Sequence, residues 1–394
     1  MSVSVIGTYH SDFNTSDKSI YDLLVEAGKS ALDDSGVKAK DIDGIWIGNY
    51  SGGGFNNQEH LAPYAMNIDP ELRFTQSTRV ENACASGTAA IKEAKAAIEA
   101  GEVDYALVIG VEKMTTLDTK GVTKTLAMAS YWPDEGAEGM TFPGLFAEFA
   151  KGYKKRHKLS NDELRETLAK IAAKNYSNAL ENQYAQMSKD WTYEDVLNLP
   201  EKKNPMIAEP LRLHDCSLVS DGAAAIVLTT TEKAKELRDE VVELASLVQT
   251  TDYLALDKRP QDEFVATKEA VRQAYNQVGI TVDDLDFAEV HDCFTIAELL
   301  AYEAIGLAED GQGPKLLDDG TVMVDGRLPV NASGGLKAKG HPVGATGVSM
   351  AVLATRQLLG EPVGPKIEGA EIGLTLNFGG SAVSNYASIY KLIK

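Results

Sequence analysis

The sequence has few cysteines, few basic residues and no long apolar run. Only three of its 394 residues are cysteines, which excludes a disulfide framework and indicates a reducing compartment. No cysteine or histidine cluster has metal-ligand spacing, so we expect no metal. No segment has the length of a membrane-spanning helix, and residues 1–7 lack the features of a signal peptide. We therefore expect a cytoplasmic protein.

Positive charge is scarce as well. The chain has 38 Lys and Arg against 58 Asp and Glu, giving a net charge of −20. Such a charge repels nucleic acids and anionic membranes, so we expect neither as a partner. An anionic substrate then needs a local basic patch. Two alternatives stay open, namely Lys337 with Lys339, or the basic run at 153–158, which a solvated helix face explains equally well.

What the sequence does contain is an alternation of helix and strand patterns. Helical periodicity over residues 20–35 ends at Gly36 and is followed by a strand pattern over 42–47. A second helix is predicted over 87–100 and a buried strand over 106–111. This order is typical of an α/β protein.

The α/β pattern is repeated later in the chain. Residues 31–48 have a counterpart at 274–291, and Ser86-Gly87 has one in Thr346-Gly347, each pair opening an Ala-containing helix. Because the two echoes keep their order, they predict a duplicated α/β domain rather than chance similarity.

The repeat predicts three domains. The N-terminal half takes residues 1–118 and 212–244, and its last element is a helix over 232–244. Residues 119–211 change in character and form an insertion that should lie over the active site, with a helix over 162–181. The C-terminal half takes residues 245–394.

Four segments carry candidate chemistry. The first contains Cys84, with small neighbours, at the start of a predicted helix. There the helix dipole and unpaired N–H groups favour a thiolate, the nucleophilic form of cysteine. The others are 289–294, which holds His291 and Cys293, 331–347, which holds Gly340-His341-Pro342, and 376–381.

The order and content of these segments resemble the thiolase family over the whole chain. His291-Asp292-Cys293-Phe294 is most similar to the sterol-carrier-protein-type and archaeal branch. The better-known branch has Asn-Glu-Ala-Phe there, and a catalytic cysteine where this chain has Asn377. Residues 213–225 resemble a structural signature, so Cys216 and His214 are expected to be structural. The resemblance implies a thiolase-like duplicated five-layer α-β-α-β-α fold with an inserted loop domain.

The resemblance also implies a role for each site residue. Cys84 would carry the acyl group, since a thiolate is both a good nucleophile and a good leaving group. His341 would take its proton, and Cys293 would move the proton of the substrate α-carbon. One oxyanion hole would use His341 and a water held by His291. The other would use the backbone N–H groups of Cys84 and Gly379.

The implied activity is acyl transfer between coenzyme A thioesters, which are substrates, with no further cofactor. Two acetyl-CoA would give acetoacetyl-CoA and CoA reversibly, or longer 3-ketoacyl-CoA would be cleaved. A homodimer or homotetramer is expected. Two alternatives remain: a subunit that passes acetoacetyl-CoA to hydroxymethylglutaryl-CoA synthase in a complex, and a ketosynthase loaded from a carrier protein, which would not need Cys293.

Overall fold

The computed structural model describes residues 1–394, with eleven strands and thirteen α-helices. The strands are β1 (Val3–His10), β2 (Gly44–Gly48), β3 (Gln76–Val80), β4 (Tyr105–Glu112), β5 (Met206–Ala208), β6 (Leu211–Arg212), β7 (Gly222–Thr230), β8 (Val241–Thr251), β9 (Phe287–Val290), β10 (Ile372–Gly379) and β11 (Ser384–Ile393).

The helices are α1 (Ile20–Ser35), α2 (Gly52–Asn56), α3 (Ser86–Glu99), α4 (Thr119–Ala127), α5 (Phe142–His157), α6 (Asn161–Asn178), α7 (Tyr193–Leu197), α8 (Thr231–Leu237), α9 (Val265–Val278), α10 (Thr295–Ala304), α11 (Gly313–Asp318), α12 (Gly335–Lys339) and α13 (Thr346–Leu358). None of them combines the length and the apolar composition that crossing a membrane requires.

Nine strands are hydrogen-bonded in the order β3-β2-β4-β7-β1-β8-β11-β10-β9, and β5 and β6 form a separate hairpin. The strands before and after β8 meet only through β1 and β8, which pair at two positions, Ser4 with Glu243 and Val5 with Val242. The sheet therefore consists of a first group of five strands and a second group of four, joined by a short stretch of pairing.

The helices lie in three layers around these two groups of strands. Helix α1 packs on one side of the first group, α9 packs on the far side of the second group, and α3 and α13 lie between the groups. Alternate residues of 223–228 in β7 contact α1 and the middle helices, so this strand is buried on both faces and reads as a continuous apolar run. The five-layer α-β-α-β-α arrangement predicted from the sequence is confirmed.

The two middle helices touch at their first turns through glycines. A Cβ atom on Gly347 would lie 2.3 Å from the backbone nitrogen of Thr88, and one on Gly87 would lie 2.8 Å from that of Val348. Only glycine permits this approach. The contact explains why both halves of the repeat carry a glycine there, and it brings together the loops that precede α3 and α13.

Most local predictions agree with the structure, and one is wrong. Helix α1 ends before Gly36, whose φ of 71° is left-handed, and α3 and β4 lie where they were predicted. The helix predicted over 232–244 ends at Leu237 instead, and β8 begins at Val241. Val241 and Val242 are β-branched and pair with β11, so sheet pairing decides their conformation.

Candidate active site

Three loops place the predicted site residues, and each loop runs into a helix. Cys84 lies two residues before α3, Cys293 two residues before α10, and His341 five residues before α13. These three residues line one cavity of about 160 Å³. The Cys84 sulfur and one ring nitrogen each of His291 and His341 lie within 4.8 Å of one another. The structure thus brings all four predicted side chains together.

The hydrogen bonds of His341 fix its tautomer. Its Nδ1 lies 2.7 Å from the Thr346 hydroxyl, and that hydroxyl donates to the carbonyl oxygen of Pro342 at 3.1 Å. Because the hydroxyl has a single proton, it accepts a hydrogen bond from Nδ1–H. The lone pair of His341 is therefore on Nε2, where a base must carry it.

His291 is held in the opposite tautomer. The side-chain amide nitrogen of Asn377 lies 2.9 Å from His291 Nδ1 and also donates to the Cys84 carbonyl at 3.3 Å, while its oxygen accepts from Thr88 at 2.8 Å. Since the amide nitrogen can only donate, His291 Nδ1 accepts and Nε2 carries the proton. That Nε2–H is buried and has no partner within the chain, so it is a free donor in the cluster.

Both thiols are protonated in the resting protein. Burial, followed by the nearby Glu112 carboxylate, raises the pKa of Cys84 to about 12. Burial and the neighbouring Cys84 sulfur raise the pKa of Cys293 well above its ordinary value. The predicted Cys84 thiolate is therefore wrong for the resting state, because desolvation outweighs the helix dipole. A proton acceptor is needed for either sulfur to react.

The imidazoles behave in the opposite way. Burial, with a smaller contribution from Lys339, lowers the pKa of His341 to about 3. Burial and the neighbouring His341 and Lys339 lower the pKa of His291 well below its ordinary value. Both rings are therefore neutral at physiological pH, and their centroids lie 5.0 Å apart in an edge-on arrangement.

The backbone donors differ by one residue from the prediction. The N–H groups of Gly380 and of Cys84 itself face the Cys84 sulfur, and Gly380 lines the cavity. The predicted Gly379 is the last residue of β10, where a Cβ would lie 2.3 Å from the Asn82 carbonyl oxygen. Its backbone approaches the Cys84 loop, whereas Gly380 turns its N–H toward the sulfur.

Comparison with known proteins identifies the family. The model "Thiolase, N-terminal domain" matches residues 3–232, and "Thiolase C-terminal domain-like" matches residues 248–392. The chain belongs to the thiolase family. The resemblance seen in its motifs is thereby confirmed.

Named relatives lie in the predicted branch. The acetyl-CoA acetyltransferase of Methanothermobacter thermautotrophicus is 41% identical over 381 residues, with 96% of each chain covered. Human sterol carrier protein 2 is 30% identical over 94% of this chain and 68% of that protein. The structure "Ltp2-ChsH2(DUF35) aldolase" superposes with a TM-score of 0.83 at 21% identity, covering 99% of this chain and 97% of that one, which shows a shared fold.

A buried acidic network fixes the loops of this thiolase relative to each other. The Asp292 carboxylate accepts hydrogen bonds from the backbone N–H groups of Leu336 at 2.6 Å and Lys337 at 3.1 Å. It also accepts from the Asn175 side chain at 2.8 Å. Asp292 lies between His291 and Cys293, so it ties their loop to α12, which leads directly to His341.

The open questions on basic residues are partly resolved. Lys337 and Lys339 are each only 1% exposed, so they do not reach the phosphates of a ligand in solvent. In the basic run, Arg156 pairs with Asp262, Glu263 and Asp310.

Sequence reasoning missed several site residues of the thiolase. The Thr346 contact with His341 and the burial of Lys339 had no sequence signal, whereas Asn377 was visible as the residue that stands where relatives have a cysteine. Cys216 also lines the cavity, and its burial agrees with the expected structural role. His214 bonds the Tyr176 hydroxyl at 2.6 Å, away from the Cys84 cluster.

Proposed function

We propose that this thiolase catalyses the reversible Claisen condensation of two acetyl-CoA to acetoacetyl-CoA and CoA, through an acyl group on Cys84. Its relatives are named acetyl-CoA acetyltransferases, which makes it an acyltransferase of the same type. The observation that carries the chemistry is the cluster of the Cys84 sulfur with nitrogens of His291 and His341 within 4.8 Å, in a cavity that Cys293 also lines.

The first half-reaction transfers an acetyl group to the enzyme. His341 Nε2 takes the thiol proton as the Cys84 sulfur attacks the thioester carbonyl of acetyl-CoA. The bond from the carbonyl carbon to the CoA sulfur then breaks, and the CoA thiolate takes the proton from His341. Because the resting sulfur is a thiol, attack depends on this proton transfer.

The second half-reaction forms the carbon–carbon bond. Cys293 passes its proton to His341 and, as a thiolate, removes a proton from the α-carbon of the second acetyl-CoA. The resulting enolate attacks the acetyl carbonyl on Cys84, the bond from that carbon to the Cys84 sulfur breaks, and this sulfur takes the proton from His341. All three side chains return to their starting states, and thiolysis runs the same steps backwards.

Two donor sets face the charges that develop. We assign the enolate oxygen to His291 Nε2–H directly, in place of the predicted water, because that buried N–H has no partner in the chain. The oxygen of the acetyl-Cys84 thioester is assigned to the N–H groups of Cys84 and Gly380, which face this sulfur. One preorganised donor is worth about 3–4 kcal/mol of barrier.

The wall of the cavity suits an acyl chain. Apolar side chains from three places in the chain surround the sulfurs, with the members Met114, Val122, Leu126, Phe142, Leu218 and Val343. Thioester substrates with short apolar acyl groups complement this lining.

Labelling tests the proposal. The protein is incubated with acetyl-CoA, quenched, digested and measured by mass spectrometry. We expect an acetyl group on the peptide that contains Cys84 and none in Cys84→Ser. Cys293→Ala should take up the label and make no acetoacetyl-CoA. Condensation at the wild-type rate by Cys293→Ala would exclude a role for that thiol.

We also propose that the thiolase is a cytoplasmic homodimer. Strand β3 is an edge strand with partly exposed residues, and Phe74 just before it is 87% exposed, which supports pairing with a second copy. A complex with hydroxymethylglutaryl-CoA synthase is the second candidate, favoured by the DUF35 component named with a protein of the same fold. Native co-purification separates the two. Activity with carrier-bound acyl groups and none with acyl-CoA would instead favour a ketosynthase.

A further inference from the structure

Two buried lysines on the short helix α12 have no acidic partner. Lys337 and Lys339 are each 1% exposed. The Lys337 ammonium donates to the Tyr176 hydroxyl at 2.6 Å, and the Lys339 ammonium donates to the Ser349 hydroxyl at 2.8 Å. A buried charge without an opposite charge is costly, so such a residue calls for a functional reason.

Lys339 lies directly behind the catalytic imidazole. Its partner Ser349 follows Thr346, the anchor of His341, by three residues on α13. Residues three apart share one helix face, about 5 Å apart along the axis. The aliphatic end of Lys339 is fixed further by the Phe13 ring, whose centroid lies 4.9 Å from the ammonium.

The hydrogen bonds around Ser349 define Lys339 as a donor. Ser349 lies 2.8 Å from His10 Nε2, and His10 Nδ1 lies 2.6 Å from the carbonyl oxygen of Ser11. A carbonyl oxygen only accepts, so His10 carries its proton on Nδ1 and accepts the Ser349 proton on Nε2. Ser349 is then free only to accept, which requires a donor from Lys339.

The acidic groups that face Lys339 are already engaged. Glu289 in β9 accepts from the backbone N–H and the hydroxyl of Ser333 at 3.0 and 2.7 Å. Asp292, just after β9, accepts from the backbone of α12. From β1 the facing group is the neutral His10. The charge of Lys339 therefore acts on the neighbouring imidazoles, and it is among the causes that lower the pKa of His291 and His341.

We propose that Lys339 is a positioning residue, a fixed buried cation that holds His291 and His341 in their neutral forms and favours the anions that form in the cavity. A neutral His341 can accept a proton, and a neutral His291 keeps the single N–H orientation set by Asn377. The kinetic consequence rests on the proposed function. The effect on the imidazoles does not.

A matched pair of variants tests the proposal, because Lys337 has the same helix, burial and charge but faces Tyr176. The chain has six histidines, so their Cε1 carbons can be followed individually by NMR after isotope labelling and assignment by substitution. We expect His341 to stay neutral to pH 5 in the wild type and in Lys337→Met. In Lys339→Met it should titrate closer to the ordinary histidine value of 6.5. Equal titration in Lys339→Met and wild type, or equal shifts in both variants, overturns the proposal.

Kinetics provide a second measurement. Lys339→Met should lower kcat for acetoacetyl-CoA formation about tenfold or more, change KM little, and move the acid limb of the pH profile upward. Lys339→Arg, which keeps the charge, should retain the wild-type acid limb. A wild-type acid limb in Lys339→Met contradicts the role.

The wild type itself keeps the proposal testable if Lys339→Met does not fold. Burial, opposed by Glu289 and Asp292, lowers the pKa of Lys339 to about 8. Raising the pH through 8 should therefore shift the His341 Cε1 resonance in the wild type and in Lys337→Met. The step should be absent in Lys339→Arg, because arginine stays charged. A wild type without this step, or a Lys339→Arg variant that keeps it, refutes the inference.

Discussion

The glycine contact between the middle helices predicts a large effect from one methyl group. In Gly347→Ala the new Cβ would lie 2.3 Å from the Thr88 nitrogen and 2.7 Å from the Asn377 side-chain oxygen, where contacts are normally 3.4 Å or longer. The nearest atom is backbone in a helix, so no side chain can rotate away. The two helices must separate by about 1 Å.

That separation has two measurable consequences. Overpacking of this kind costs about 1–3 kcal/mol of the free energy of unfolding. The same movement carries the Cys84 loop away from the His341 loop, and a misplacement of about 1 Å in an active site costs about 100-fold in rate. We therefore expect Gly347→Ala to lower the urea midpoint and to slow acetylation of Cys84 about 100-fold, as followed by quenched-flow mass spectrometry.

Gly144→Ala in α5 is the matched control. Its Cβ would meet only Met140 and Thr141 side-chain atoms at 3.6 Å, which are ordinary contacts. We expect a change of less than about 1 kcal/mol, in the stabilising direction. Wild-type acetylation by a destabilised Gly347→Ala would show that the glycine contact supports packing alone, and wild-type stability as well would refute the steric argument.

Three further predictions address the imidazoles. Asn377→Leu removes the donor to His291 Nδ1, so acetyl-Cys84 should still form while acetoacetyl-CoA formation, measured by absorbance, falls about 100-fold; equal losses in both steps would contradict the separate role of His291. Thr346→Val leaves the His341 Nδ1–H without an acceptor, so acetylation itself should slow at least tenfold in the labelling assay; an unchanged rate would show that the tautomer is fixed elsewhere. The pKa of His341 lies at about 3 against 6.5 unfolded, so the unfolded chain binds more protons between these values and stability should fall on acidification below pH 6.5, by about 1.4 kcal/mol per pH unit for each such histidine. Urea titrations from pH 7 to pH 4 with a constant midpoint would disagree.

Local patterns predicted elements where local physics decides. Helix α1 has a capping box at Ser19 and a left-handed Gly36, and its bounds agree with the periodicity. The segment after α8 is different, since Val241 and Val242 follow a good helix pattern but belong to β8. Their strand pairs with β1 and β11, contacts made with distant parts of the chain. A single-sequence pattern does not contain that information.

The site shows the same division. Residue types and motif order predicted which side chains meet, and Cys84, His291 and His341 do lie together. The protonation states were not predicted, because they depend on burial. Helix position favoured a Cys84 thiolate, while the enclosed cavity raises its pKa to about 12. The donor at Gly380 depended on how the chain turns after β10, one residue beyond the resolution of a motif.

The protonated state of the resting sulfur also bears on chemical durability. Peroxides and alkylating agents attack thiolates, and a thiol with a pKa of about 12 offers almost none at neutral pH. Cys84 therefore becomes reactive only while a bound thioester and His341 are in place. The enclosure that makes catalysis dependent on a neighbouring base thus also shields the nucleophile from adventitious damage between turnovers.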